Sequence, residues 1–494
     1  MSIYTLMPLW VLLIPLFTAP LVMWLGEQRG QWRTRINIGA AVLKLLLVVV
    51  MLWGVQQGHA FVARIAIMPG LDLVLAADAL AMLLITLSAL LWLATTIYAI
   101  AYLENAPHRA RFFSFFSLCM AATMGIALAG NLFTFFIFFE LLTLATWPLV
   151  VHRGTAVAMR AGRIYLAFTM AGGAVLLLGI VLLHSVTGDT SFRAGGTVTP
   201  HLAEHGPLLV FTFVVLLIGV GVKAALVPLH GWLPVAMVAP APVSALLHAV
   251  AVVKAGAFGI VRLVHDVYGL EAVRELNLGL LVAVIASFTI IYGSVRALFQ
   301  TDLKRRLAFS TVSQVSYIAL GVGLASPLAT IGGLVHLVHQ GLIKITLFFC
   351  AGNYAETHGI HAIRDLDGIG RRMPWTTALF TLGAVGMIGV PPLAGFVSKW
   401  YLGMGAINAG QNWVILVLIA STLLNAMYFL PLLHRAWFRA PPQGTSEARA
   451  EAAPGLLWPT VFTAMAALGA GLLAGLDWSP LGWAQLIAER EYGQ

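Results

Sequence analysis

Apolar runs about 20 residues long recur from one end of this 494-residue chain to the other. A helix of about that length crosses a ~30 Å hydrocarbon layer. Fourteen such runs are read, near 6–25, 36–55, 79–101, 112–129, 131–151, 163–184, 208–230, 242–264, 277–299, 307–324, 327–350, 375–401, 412–433 and 456–476. The loops between them are short. The longest breaks, 185–207 and 434–455, leave no room for a soluble domain. The chain is 60% hydrophobic and 10% charged, against roughly 25% charged in a soluble domain. A water-soluble globule and a disordered chain are both excluded. The first run shows no small-residue cleavage site and is read as a retained helix. The two cysteines, Cys119 and Cys350, sit in apolar runs, which excludes a disulfide scaffold, a CxxC metal site and an iron–sulfur cluster.

The net charge of +9 could suggest nucleic acid, but its distribution points to topology. Of 28 basic residues, 18 fall in alternate loops beginning with Arg29, Arg33 and Arg35, and 5 fall in the opposite loops and tails. Lysine and arginine accumulate in cytoplasmic loops. Both termini are therefore expected on the non-cytoplasmic side, and no nucleic-acid partner is expected.

The remaining five basic residues are lysines inside spans: Lys44, Lys223, Lys254, Lys344 and Lys399. Every arginine lies in a loop or at a span end. Arginine stays protonated almost everywhere, whereas a desolvated lysine can release its proton. Of 19 acidic residues only Glu140 is mid-span. A charge at a helix centre costs roughly 2.5–3.5 kcal/mol on insertion scales, so six in one chain call for a reason. Snorkelling or structural pairing is the simpler reading for Lys44 alone. Histidines add to the set. His248 precedes Lys254 by six residues, and His336 and His339 precede Lys344 in GGLVHLVHQGLIKITLFF. Spacings of three and eight put these on neighbouring faces of one helix, and histidine titrates near neutrality. No carboxylate or cysteine converges on the histidine pair, so no metal site is expected. No haem, flavin or nucleotide motif occurs, so no cofactor is expected either.

Two spans are interrupted by proline. One is GVGVKAALVPLHGWLP, with Lys223 before Pro228; the other is GMIGVPPLAGFVSKWYL, with Lys399 after Pro391 and Pro392. Proline removes a backbone bond and frees a carbonyl. Paired broken helices bearing ionisable groups point to an internal repeat and an ion site. One acid, several lysines and several histidines strung through successive helices suit the movement of protons.

These residues carry a resemblance. NLFTFFIFFELLTLATWPLV, GVGVKAALVPLHGWLPVAMVAPAPVSALLHAVAVVKAGAF, LFQTDLKRRLAFSTVSQVSY, HLVHQGLIKITLFFCAG and GVPPLAGFVSKW resemble the antiporter-like membrane subunits. That family is shared by respiratory complex I, membrane-bound hydrogenases and Mrp-type cation/proton antiporters. The similarity covers roughly residues 70 to 440. Size, Lys399 and PVSALLHAVAVVKAG are most similar to the D subunit of Mrp-type antiporters. The resemblance implies an all-α polytopic fold of fourteen transmembrane helices. Helices 4–8 and 9–13 would form two inverted five-helix repeats, with helices 7 and 12 broken. Segments would then be 1–101, 102–264, 265–440 and 441–494. It also implies that Glu140 pairs with Lys223, that Lys254 with His248 links the halves, that Lys344, His336 and His339 connect onward, and that Lys399 ends the line. The implied activity is proton translocation in a multisubunit Na⁺/H⁺ antiporter of the bacterial cytoplasmic membrane. The alternative is a proton-pumping subunit of a redox-driven complex. In either case the partners are other membrane subunits, protons, a monovalent cation and the lipid bilayer. The chain is expected to be an ion-transporter subunit and not an enzyme.

Overall fold

A computed structural model of the chain describes residues 3–68, 71–441 and 448–491. Among these, twelve helices are long and apolar enough to cross a membrane. The first seven are α1 (Ile3–Leu25), α2 (Gly30–Gln56), α3 (Ala79–Tyr102), α4 (Arg109–Ala127), α5 (Leu132–Val150), α6 (Ala156–Thr187) and α7 (Leu202–Lys223). The helical unit α8 covers Ala241–Glu275. Then come α9 (Leu278–Leu298), α11 (Pro327–His358), α13 (Trp413–Phe438) and α14 (Pro454–Leu472).

The two other expected spans fail the same criterion for physical reasons. Helix α10 (Leu303–Gly323) is full length but carries Ser310, Thr311, Ser313, Gln314 and Ser316, all buried. A helix enclosed by protein on every side needs no apolar face toward lipid. The run read at 375–401 is two half-helices, α12a (Pro374–Ile388) and α12b (Ala394–Asn408). Helix α12a stops at Gly389, whose φ of +91° suits a residue without Cβ. Pro391 and Pro392 then block continuation. The counterpart break follows α7. That helix ends at Lys223 and not at residue 230, Ala225 turns at φ +57°, and Pro228 lies in the turn.

Two helices form the centre. The apolar windows of α8 and α11 are buried over their whole length. Helix α11 packs against α3, α10, both halves of α12 and α14, and α8 packs against α7, α10 and α11. The chain thus surrounds two helices that never meet lipid. These carry His248, Lys254, His336, His339 and Lys344.

Three features depart from the sequence reading. An antiparallel hairpin, β1 (Phe61–Met68) paired with β2 (Leu71–Ala77), fills what was read as a loop, and packs on α1. A short helix, α15 (Pro480–Glu491), follows the last span. Its Trp483 indole donates to Ala79 O at 2.9 Å, and Arg490 donates to Val55 O at 2.9 Å and Gln56 O at 2.8 Å. It therefore ties the ends of α2 and α3 together. Finally, α8 continues past residue 264, so Arg262 and Asp266 lie inside it and not in a loop. Arg262, 3% exposed, contacts Asp266 at 2.7 Å and grips Asp78 through two bonds of 2.6 and 2.9 Å. Asp78 is also the N-cap of α3, accepting from Ala81 N at 2.6 Å.

This three-residue knot joins α8 to α3. Replacing Arg262 with Met leaves two carboxylates facing each other without their cation. Removing one partner of a buried pair costs about 3–5 kcal/mol, so Arg262→Met should unfold at markedly lower denaturant concentration in the purified complex. Asp78→Asn should lose less, because Asp266 still holds the guanidinium. Equal stability of Arg262→Met and wild type would show that the knot holds nothing together.

Candidate functional site

In α8, the turn Leu246–Val250 widens to a π-helix and the backbone kinks at Ala251 (φ −109°, ψ −82°). Such widened turns recur at functional sites. His248 sits in this turn, with Nε2 3.3 Å from Met237 Sδ and its ring stacked on Phe348 at 4.5 Å. Just past the kink, Lys254 Nζ donates to Leu337 O at 2.6 Å and to Gln340 Oε1. Both acceptors belong to α11.

Along α11, His336, Gln340 and Lys344 are four residues apart and share a face. His336 Nδ1 lies 2.8 Å from Ser398 Oγ, and its ring sits 5.0 Å from that of Tyr317. Ser398 neighbours Lys399 in α12b. His339 is fully buried. Lys344 Nζ donates to Ser310 Oγ at 2.6 Å and Leu307 O at 3.3 Å, both in α10.

Lys399 spans the second break. Its Nζ donates to Ile388 O at 2.7 Å, Met387 O at 3.3 Å and Thr422 Oγ1 at 3.1 Å. The carbonyls are the free C-terminal acceptors of α12a, the end that attracts a cation. Two polar connections run from α11 toward α12. One joins His336 to Ser398, whose Oγ also donates to Gly395 O at 3.3 Å. The other runs from Lys344 to Ser310, then to Tyr428 OH at 2.9 Å, to Asn425 Oδ1, and from Asn425 Nδ2 to Met387 O at 3.2 Å.

The first half is arranged differently. Lys223, the last residue of α7, is fully buried. Its Nζ donates to Phe139 O and lies 3.4 Å from the centre of the Phe139 ring. Glu140 is the next residue on α5. It is only half-buried, close enough to Lys223 to feel its charge, yet the two form no ion pair. Its carboxyl group packs over Gly173 of α6, where any Cβ would collide with it, and Oε1 has no partner. The expected pair is thus neighbouring but separated in this structure.

Sequence reasoning missed the side chains that connect the ionisable groups: Gln340, Ser398, Ser310, Tyr428 and Asn425. No charge marks them. The available signal was the polarity of α10 inside an otherwise apolar region. Lys44 lies apart from this line, in α2.

Comparison with known proteins bears on family and fold. Residues 129–424 match the family described as NADH:quinone oxidoreductase/Mrp antiporter, transmembrane. The chain is 37% identical over 390 residues to the N subunit of the NADH-quinone oxidoreductase of Desulforudis audaxviator, covering 78% of this chain and 76% of that one. It is 29% identical over 415 residues to the D subunit of a Na(+)/H(+) antiporter of Bacillus subtilis, covering 82% and 81%. In fold it is similar to a chain of the Mrp complex from Dietzia sp. DQ12-45-1b, with TM-score 0.87 at 23% identity, over 99% and 98% of the two chains.

On the side of the arginine-rich loops, a cavity of about 760 Å³ opens among Tyr102, Glu104, His108, Arg111, His152 and Arg153. His152 lies in the loop after α5. Burial, then the charges of Arg111, His108 and Arg153, push its imidazole down to about 4. The unfolded chain takes up this proton near pH 6.5, whereas the folded protein resists it until about pH 4. Acidification between those values therefore favours unfolding, and stability rises with pH across the window. Between about pH 6 and 8 the ring stays neutral. His152→Gln should leave the pH profile of transport unchanged over that range; a displaced profile would show that His152 carries a proton there.

Proposed function

The chain belongs to the NADH:quinone oxidoreductase/Mrp antiporter transmembrane family, and from that premise we propose that it is the proton-translocating subunit of a multisubunit monovalent cation/proton antiporter, Na⁺/H⁺ by class. The observation that carries the proposal is the set of buried ionisable groups Lys254, His336, Lys344 and Lys399, with Lys254 bonded to Gln340, His336 to Ser398, and Lys344 joined through Ser310, Tyr428 and Asn425 to Met387 O, where Lys399 also donates. Its members are amines, imidazoles, hydroxyls and amides, which accept and pass protons. Glu140 and Lys223 act as the loading end. With the two apart, the Lys223 ammonium rests on a carbonyl and a ring only, and its proton is free to move toward Lys254 and His248. When Glu140 closes on it, the charged form is favoured. A proton crossing 100 mV gains roughly 2.3 kcal/mol, similar to a change of about 1.7 pKa units, so modest rearrangement gates the step.

The two breaks, each with a lysine, support two inverted repeats over helices 4–8 and 9–13, with water reaching the line from opposite faces. The arginine bias supports a bacterial cytoplasmic membrane location with both termini on the non-cytoplasmic side. A second reading is favoured by the identity to an NADH-quinone oxidoreductase N subunit. The same residues would then move protons, with electron transfer in partner subunits as the driving force. In both readings the chain is a transport subunit, and the proteins that copurify with the native complex separate the two.

In vesicles holding the assembled complex, Glu140→Ala should abolish coupled proton movement without harming insertion, because deleting a mid-span charge eases insertion. Glu140→Asp should be partly active. Wild-type flux in Glu140→Ala would remove that residue from the route. Lys223→Arg keeps the charge but cannot release it, so it should transport at least tenfold more slowly. Near-normal transport by Lys223→Arg would mean that Lys223 is only a structural cation.

A further inference from the structure

Lys44 takes no part in the line described above. It sits midway along α2 with no exposed surface, and its Nζ has no hydrogen-bond partner. Its ammonium group lies over the face of Trp92 on α3, 4.0 Å from the ring centre. No acidic or basic side chain belongs to α1 or α3, the helices packed most closely on α2. A desolvated cation–π contact contributes about 2 kcal/mol, and an unpaired charge at membrane depth costs at least as much. Structure alone gives no reason to keep a lysine there; methionine would fill the same space.

The surroundings are organised. The outward face of α2 is apolar, with Leu43, Leu46, Val49 and Trp53 exposed. Its inward face carries Arg33, Asn37, Ala41 and Lys44, all buried, in the half nearer the α1–α2 loop, and is wholly apolar beyond, at Val48, Met51 and Val55. Arg33 anchors the polar half at the loop end, donating to Gly26 O at 3.0 Å and Glu27 at 3.2 Å. Asn37 follows, donating to Arg33 O at 2.8 Å and meeting Ser117 of α4 at 3.5 Å. Ala41 separates Asn37 from Lys44, the last polar residue of this face. Opposite it, Ser88, Trp92 and Thr96 follow at four-residue steps on one face of α3. All three are buried, and none of their side-chain donors is satisfied. Buried polar atoms are normally satisfied. Of these unsatisfied groups the Lys44 amine is the one that can take up and release a proton.

We propose that Lys44, seated on Trp92, is a second proton-binding site of this subunit, outside the mid-membrane line and reached from the α1–α2 loop side along the inner face of α2. The proposal extends the proton-translocation reading and is tested beside it.

The test compares stability and transport in the assembled complex. Lys44→Met should melt no lower than wild type, since an unpaired buried amine is removed, yet transport protons at least tenfold more slowly. A residue kept for function shows this opposition of stability and activity; a structural lysine does not. Lys44→Arg should also be inactive, because its charge is fixed. Wild-type transport by Lys44→Met overturns the proposal. So does a lowered melting point in Lys44→Met together with restored transport in Lys44→Arg, or failure of both variants to assemble, each of which marks a folding element. Glu140→Ala in the same vesicles separates the two readings. If it is inactive while Lys44→Met is normal, only this proposal fails. If it is normal while Lys44→Met is slow, the mid-membrane reading fails and the Lys44 site stands.

Discussion

An ammonium group inside a bilayer must be solvated by the protein itself, and this chain does so almost without carboxylates. Lys254 and Lys399 rest on backbone carbonyls with a side-chain amide or hydroxyl, and Lys344 on a carbonyl and a hydroxyl. Lys223 rests on a carbonyl and a ring. The architecture follows from supplying those acceptors. The break after α12a exposes carbonyls that an unbroken helix would have used, and Lys399 occupies them. The burial of α8 and α11 keeps lipid away from the charged groups, and a helix as polar as α10 is stable only because it stands between them.

The outline of this arrangement is legible in the sequence because its causes are local. Apolar length marks the spans, proline marks both breaks, and lysines sorted away from arginines mark the line. What escapes the sequence is relational. Tyr428 and Ser310 look like ordinary polar residues until the fold brings α13 against α10. Gln340 is a polar residue on a histidine-bearing helix until Lys254 reaches it from α8. Arg262 looks like a loop arginine because the apolar run stops near residue 264. The helix continues because Asp266 and Asp78 neutralise the guanidinium. The hairpin of β1 and β2 is hidden for a different reason. Its strands are seven and eight residues long, too short for a span and too apolar for a loop.

The separation of Glu140 from Lys223 also lies beyond sequence reasoning. Spacing and span order place the two on nearby helices at similar depth. Whether they touch depends on how α5 sits against α6, and Gly173 decides that contact by leaving room for the carboxyl group. Glu140 is half-buried in the seam between these helices while Lys223 is sealed inside. The acid is therefore the more accessible of the two partners.

That asymmetry bears on how protons could advance at all. A proton moves readily between sites only if none binds it far more tightly than the next. A closed, buried ion pair is costly to break, by about 3–5 kcal/mol, whereas a membrane potential of 100 mV supplies roughly 2.3 kcal/mol per charge. On the proposed route, carboxylates beside Lys254, Lys344 or Lys399 would trap the proton that each would pass on. Carbonyls, hydroxyls and amides instead solvate an ammonium with dipoles and add no counter-charge. In the proposed route Glu140 stands at the beginning, on a half-buried side chain, where tight binding would serve loading and its release would serve discharge.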